Sequence, residues 1–300
     1  MIDEFLKSFR AVRPYHSRLR SNLFTGHLKL ELPVPHVGDI RVKFDKRSAG
    51  WVRTRTEKGQ GVGLHEPGLV TSMVVLRDLL GPLSASDFLD IGSLHGYIGV
   101  LAGPILTPRR VVMLEMNPQA AEFAGANAAL NSTRQTVMSV LNVGVSNESA
   151  EAVPCLYKDF ALVVRPDEAQ IADLSGKSFR KANIDLDTVD RIVEILGLKP
   201  QMIKIDVEGS QMSILRGADT VLKEFSPVLL IEGDAPGASN SDGTPMADLC
   251  LHLMQTYDYQ IIAMNHRAWN SAPVALTQAD VESGTLKLDR NQLFVCLPAN

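Results

Sequence analysis

The sequence predicts an α/β fold built on a mostly parallel sheet, and three observations lead there. Short continuous apolar runs recur at Phe88–Ile91, Arg110–Leu114, Val137–Leu141, Met202–Ile205 and Val228–Ile231, as strands buried on both faces require. Segments with helical spacing alternate with these runs, the rhythm of a sheet covered by helices on both sides. Four of the five strands end on an acid, at Asp90, Glu115, Asp206 and Glu232, and open α/β sheets bind ligands at that carboxyl edge.

Composition narrows the class. The 300 residues are 45% hydrophobic and 21% charged, which excludes a disordered chain or a collagen-like fibre. No run approaches the roughly 18–20 apolar residues of a membrane span, so no integral membrane contact is expected. Met1 to Arg10 mixes Asp3 and Glu4 with Lys7 and Arg10 and lacks the apolar centre of a secretory leader. Cys155, Cys250 and Cys296 are far apart and odd in number, which fits unpaired thiols in a reducing cytoplasm. The net charge of −4 is unevenly spread. Residues 1–66 hold thirteen Lys and Arg against seven Asp and Glu, whereas the remainder is strongly acidic.

The N-terminal residues 1–20 show only a weak pattern of a basic helix. Between Leu28 and Arg55 the stretches LKLELPVP, DIRVKF and WVRTRT alternate as short strands, interrupted by Pro33, Pro35, Gly38 and Gly50. Gly59 to Gly63 is a glycine-dense joint. Beyond it, Val70–Leu80 has helical spacing and stops at Gly81-Pro82. Asn117-Pro118 offers an N-cap and a proline at the first helical position, opening an alanine-rich helix to Asn131. Helices are predicted over Leu186–Leu196, Gly209–Phe225 and Ala247–Tyr257. Gln260–Met264 and Gln292–Leu297 read as closing strands able to pair as a hairpin.

The chemistry gathers at the strand ends. Asp90-Ile91-Gly92-Ser93-Leu94-His95-Gly96 is a glycine loop whose Asp90 would repel a phosphate and suit an ammonium. Glu115 ends the next strand, where an acid commonly accepts both ribose hydroxyls, so the pair reads as an adenosine site. Asn142 and Val143 follow the third strand and would lie near the adenine. Lys204-Ile205-Asp206-Val207-Glu208-Gly209 places two carboxylates beside one crevice, able to act as a general base, hold a metal or bind an ammonium. His65 and Glu66 adjoin the glycine joint and are placed to reach a substrate, whereas His16, His27, His36, His252 and His266 have no ligand spacing.

These residues resemble the FkbM-type S-adenosylmethionine-dependent methyltransferases. The resemblance runs through Glu66-Pro67, the loop 90–96, Glu115 with Asn117-Pro118, Asn127 to Asn131, Asn142 to Asn147, Ile184 to Thr188, the block Met202 to Ala218, and Pro227 to Glu232. It implies a Rossmann-like class I methyltransferase sheet of seven strands, mostly parallel, with a C-terminal antiparallel hairpin. That domain would span 64–300, preceded by a basic, β-containing cap or lid over 1–63. The implied cofactor is S-adenosyl-L-methionine, held by Glu66, Asp90, Gly92, Ser93, Gly96, Glu115, Met116, Asn142, Val143 and Asp206. The implied acceptor is a hydroxyl on a small molecule, such as a sugar or polyketide. Asp206 or Glu208 is the first candidate base and His95 the second.

The family pattern demands no metal, although Asp206, Glu208, Glu232 and Asp234 form an acidic ring able to hold Mg²⁺. The chain departs from the family between the two glycines, where Ser93, Leu94 and His95 replace a small residue, an asparagine and an aliphatic one. Residues 150–184 also form a longer link than usual. Two other readings compete. A nicotinamide-dependent oxidoreductase lacks its G-x-G-x-x-G loop here, and a catalytically silent binding module would bind no donor. A nucleic-acid substrate fits poorly, because the basic segment has no interleaved aromatics and the remainder is acidic.

Overall fold

The computed structural model describes residues 1–11, 22–24, 27–34, 38–58, 65–159, 161–207, 209–233, 244–267, 272–284 and 292–299. The N-terminal part comprises α1 (Ile2–Ala11), β1 (Asn22–Phe24), β2 (His27–Val34), β3 (Gly38–Asp45) and α2 (Lys46–Lys58). The three strands form an antiparallel sheet in chain order. WVRTRT, expected as a strand, lies inside α2 instead. Ser48, Ala49 and Val52 are buried at helical spacing, and that burial overrides a short alternation. Phe5, Phe9, Ile40, Val42 and Phe44 join the same apolar core as the helices that follow, so this part packs onto the main sheet.

The central elements are α3 (Pro67–Leu80), β4 (Asp87–Ile91), α4 (Tyr97–Leu106), β5 (Arg110–Leu114), α5 (Pro118–Asn131) and β6 (Val137–Leu141). Asn117 caps α5 as its sequence suggests, its Oδ1 accepting from the Gln119 amide at 3.0 Å and the Ala120 amide at 3.3 Å. Helix α4 escaped the sequence reading because Gly99, Gly103 and Pro104 argue against a helix. In place, Gly99 lets the helix lie directly on the sheet, since a Cβ there would stand 2.6 Å from Met113 Sδ.

A second sheet follows, most of it in the 150–184 stretch read as a long link: β7 (Gly144–Val145), β8 (Ala150–Lys158), β9 (Ala161–Val164), α6 (Glu168–Ser175) and β10 (Arg180–Asp187), ordered β7-β10-β8-β9. The chain then returns through α7 (Val189–Leu196), β11 (Pro200–Ile205), α8 (Gln211–Arg216), α9 (Asp219–Phe225) and β12 (Val228–Gly233). Leu186 and Asp187 belong to β10 rather than to the expected helix, which Thr188 caps by accepting from the Arg191 amide at 3.1 Å. The single helix expected over Gly209–Phe225 is two. Asp190 accepts from the Thr220 and Val221 amides at 3.0 and 2.9 Å, starting α9 afresh.

The chain closes with α10 (Met246–Tyr257), β13 (Tyr259–Asn265), β14 (Val274–Leu276), α11 (Gln278–Glu282) and β15 (Gln292–Pro298). The main sheet has the order β14-β13-β15-β12-β11-β4-β5-β6. It is parallel from β6 to β12, and antiparallel β15 inserts between β12 and β13. This is the Rossmann-like class I methyltransferase arrangement, with eight strands rather than seven because Val274–Leu276 adds to the β13 edge. Strand residues alternate between two cores. Phe88, Met202, Leu230 and Val295 face α3 and α4, while Leu89, Ile203, Leu229 and Phe294 pack with residues of α7 to α10. By the same parity Asp90, Lys204 and Glu232 face the α3 side, and this brings charges together beneath the carboxyl edge. Among the described residues no helix is long and apolar enough to cross a membrane. The three cysteines are buried and unpaired.

Candidate active site

A cleft of about 810 Å³ opens at the carboxyl ends of β4, β5 and β11. Its floor is built by the loop after β4. Gly92 has φ 73°, and a Cβ there would overlap the Asp206 carbonyl oxygen at 1.8 Å, so only glycine lets β4 and β11 end side by side. The Gly92 and Ser93 amides donate to the Leu114 carbonyl at 2.9 and 3.2 Å. Leu94, at φ 50°, turns its amide onto Glu115 Oε2 at 2.6 Å, while Glu115 Oε1 accepts from the Asn117 amide at 2.7 Å. Asn142 supports this corner from below, its Nδ2 donating to the Glu115 and Met116 carbonyls at 2.8 and 3.0 Å. Glu115, Met116 and Val143 line the cleft. Burial raises the Glu115 pKa, and the two amides and Lys204 only partly offset that.

Asp90 stands beneath the floor rather than in the cleft. It pairs with Lys204 across the β4–β11 register, Oδ1 to Nζ at 3.1 Å, and its Oδ2 accepts from the Gly99 amide at 2.9 Å. Lys204 also donates to the Gly92 carbonyl at 2.8 Å and lies 3.5 Å from Asp206 Oδ2. Burial pulls the Lys204 pKa down, but Asp90, Asp206 and Glu66 outweigh it and hold the ammonium charged. The carboxylate expected to meet a ligand ammonium thus holds a buried lysine, which the loop sequence alone did not show.

Asp206 does line the cleft. Its pKa is raised well above the ordinary range by burial, with Glu232 and Glu66 adding to the shift against the opposing pull of Lys204. Glu208 and Asp234 lie outside the described residues. Gly96 caps α4 in a left-handed conformation at φ 72°. Ser93 is buried, and its Oγ has no hydrogen-bond partner among the described residues.

His95 turns away from the cleft, with its ring 5.1 Å from Trp51 and 5.2 Å from Phe123 between centroids. Burial lowers its pKa to about 4 from 6.5. The unfolded chain therefore takes a proton near pH 6.5 that the folded chain refuses until about pH 4. The stability linked to His95 is complete above pH 6.5 and is lost as the pH falls toward 4. This loss is expected to be roughly 3 kcal/mol. His95→Phe should flatten the curve between those limits, measured by urea denaturation across pH. An unchanged slope would remove His95 as its source.

Glu66 begins α3 at φ 54°, a strained conformation for this residue, and is buried. His65 Nε2 stands 3.0 Å from Glu66 Oε1, and the His65 amide donates to the Tyr97 hydroxyl at 3.2 Å. Burial alone would raise the Glu66 pKa, but His65, His266 and Lys204 bring it to about 2. Next to it, His266 Nε2 stands 3.1 Å from Glu232 Oε1, and Arg267 reaches the same oxygen at 3.4 Å. His266, read from sequence as an ordinary surface or core histidine, is completely buried among these acids.

The sequence reading also missed the cleft walls. Helix α2 supplies Trp51 and Arg55, and β9 with its following turn supplies Leu162, Val164 and Arg165. Asn127 fastens the α2 side, accepting from the Asp45 amide at 2.7 Å and donating to Ser48 Oγ at 3.0 Å and the His95 carbonyl at 2.7 Å. The signal available in sequence was Asn127 itself, which lay within the motif set, and Trp51 in the basic segment.

Residues 105–261 match the methyltransferase FkbM domain. No curated protein matches the chain. The structure is similar to a methyltransferase FkbM of Methylobacillus flagellatus KT at 16% identity and TM-score 0.41, covering 83% of this chain and 59% of that one. The chain thus spans under two thirds of that relative's length. It is also similar to a SAM-dependent methyltransferase of Agrobacterium tumefaciens (10% identity, TM-score 0.40, 93% and 72% covered). A third likeness is to the fibrillarin of Aeropyrum pernix with natively bound S-adenosyl-L-methionine (10% identity, TM-score 0.36, 93% and 97% covered). The matched domain runs from the end of α4 into β13, over half of the sequence and across the β5, β11 and β12 strand ends described above, and by it the chain belongs to the FkbM methyltransferase family.

Proposed function

We propose that this protein methylates a hydroxyl oxygen of a small molecule, with S-adenosyl-L-methionine as donor. The observation that carries the reading is Asp206, a carboxyl of raised pKa exposed to the same cleft that Glu115 lines. The residues fit the donor. Gly92 carries no side chain where the floor turns, and each Glu115 oxygen accepts one amide, with capacity left for ribose hydroxyls. Met116 and Val143 offer apolar contact to the adenine beyond.

When bound, the donor supplies an activated methyl group. Glu115 would hold the ribose, while Asn142 keeps the Glu115–Met116 main chain in place. Trp51, Leu162 and Val164 exclude water from the acceptor side. Asp206 would take the acceptor hydroxyl's proton, a transfer that a raised carboxyl pKa favours near neutral pH, and the donor, when bound, would give up the methyl from its sulfonium and leave as the neutral thioether. Because α2 brings Arg55 to the cleft, an acceptor bearing negative charge fits better than a cationic one.

Calorimetric titration of the donor tests the site. Glu115→Ala is expected to weaken binding at least about tenfold, by the loss of a charged hydrogen-bond acceptor. Unchanged affinity would sink the assignment. Donor binding without turnover of any hydroxylated small molecule would favour a silent binding module instead.

A further inference from the structure

We infer that Glu66, Glu232 and His266 form a binding site for one divalent first-row transition-metal cation, beside Asp206 but outside the donor cleft. One donor atom from each of the three lies within 4.8 Å of the other two. Two ligands held about 2.1 Å from a metal stand roughly 3.0–3.4 Å apart at tetrahedral or octahedral angles. The 3.1 Å between His266 Nε2 and Glu232 Oε1 falls in that range.

His266 supplies the second observation. Its side chain is wholly buried, yet among the described residues neither ring nitrogen makes an aligned hydrogen bond, even with the Glu232 oxygen at contact distance. Buried imidazole nitrogens are normally satisfied, and an unsatisfied one aimed between two carboxylates suits a metal ligand. The charge balance points the same way. Glu66, Glu232 and Asp206 converge on this corner, where His65 meets one Glu66 oxygen at 3.0 Å and the buried ammonium of Lys204 lies nearer Asp90 than Asp206. Arg267 approaches only from the exposed side.

The ligands are also held in place. The Gly68 amide donates to the His266 carbonyl at 2.8 Å, and a Cβ on Gly68 would meet His266 Cα at 2.8 Å. The start of α3 and the end of β13 are thereby locked together, with Glu66 and His266 on either side. One imidazole with two carboxylates suits Zn²⁺ or Mn²⁺ better than Mg²⁺, which prefers oxygen alone. Three protein donors leave coordination positions open for water.

The test needs neither donor nor acceptor, so its result is independent of the methyltransferase reading. The full chain, stripped with EDTA, is dialysed against Zn²⁺ or Mn²⁺ and the bound metal quantified. One equivalent per chain is expected, with affinity lowered at least about a hundredfold in His266→Leu and in Glu232→Gln. Substoichiometric binding to the wild type would overturn the site, as would full binding by both His266→Leu and Glu232→Gln, which would mark an adventitious ion elsewhere. Should the variants fail to fold, pulsed electron paramagnetic resonance of the Mn²⁺-loaded wild type decides the matter. One imidazole nitrogen coupling is expected, and its absence overturns the site.

Discussion

Asp206→Asn is expected to lower the rate of methyl transfer at least about a hundredfold, within the range that positioned acid–base groups contribute. Donor affinity should stay close to wild type, since the cleft keeps its shape and Glu115 is untouched. The Asp206 amide still donates to the Ile91 carbonyl at 3.1 Å, and Lys204 keeps both Asp90 and the Gly92 carbonyl. A carboxyl whose folded pKa is raised costs the fold stability once it ionises, so its amide replacement should be neutral or mildly stabilising. Loss of turnover without loss of folding is the signature sought in initial-rate assays with paired thermal melts. The wild-type rate should also climb as pH rises through the elevated Asp206 pKa, and the variant should lack that limb. Wild-type rates in Asp206→Asn would place the proton acceptor elsewhere.

Lys204→Met should cost about 3–5 kcal/mol of folding stability, the usual penalty for stranding one partner of a buried ion pair. Asp90 is fully buried and would retain only the Gly99 amide, while the Gly92 carbonyl would lose its donor. The raised Lys204 pKa gives the sign with pH. Its stabilisation is complete below the ordinary lysine range and fades only as pH climbs through the higher folded value, so the full loss appears near neutrality. Urea unfolding measures it. Asp90→Asn combined with Lys204→Met should recover part of the loss, because the stranded charge is gone. A loss below about 1 kcal/mol in the single variant would mean that water reaches Asp90, which its burial contradicts.

Both predictions fall on residues whose types and spacing stand out in the sequence, but the pairing of Lys204 with Asp90 was not legible there. Glu115 was read as a ligand acid at a strand end, and it lines the cleft. Asp90 was given the same kind of role from the same kind of position. What separates them is Lys204, a residue 114 positions later that sits opposite Asp90 in the parallel register. Strand parity was available in advance, because Asp90 and Lys204 alternate with residues of the opposite core. Knowing that β4 and β11 are neighbours was not. His266 shows no ligand spacing in the sequence, since its partners Glu66 and Glu232 lie 200 and 34 residues away in the chain.

The parallel core is readable from the chain alone, because buried strands must be apolar on both faces and helices must recur between them. So is the Asn117 cap, which is a hydrogen bond made within three residues. Local signals of that range carry their meaning with them. Tertiary structure decided the rest. Helix α4 forms despite its glycines and proline because it packs straight onto β5, WVRTRT is helical because one side is buried, and the second sheet adds a wall to the cleft. It decided above all which acids face a ligand and which face a lysine or a histidine. A carboxylate's role depends on the charge within about 4 Å, and that neighbour comes from a distant part of the chain.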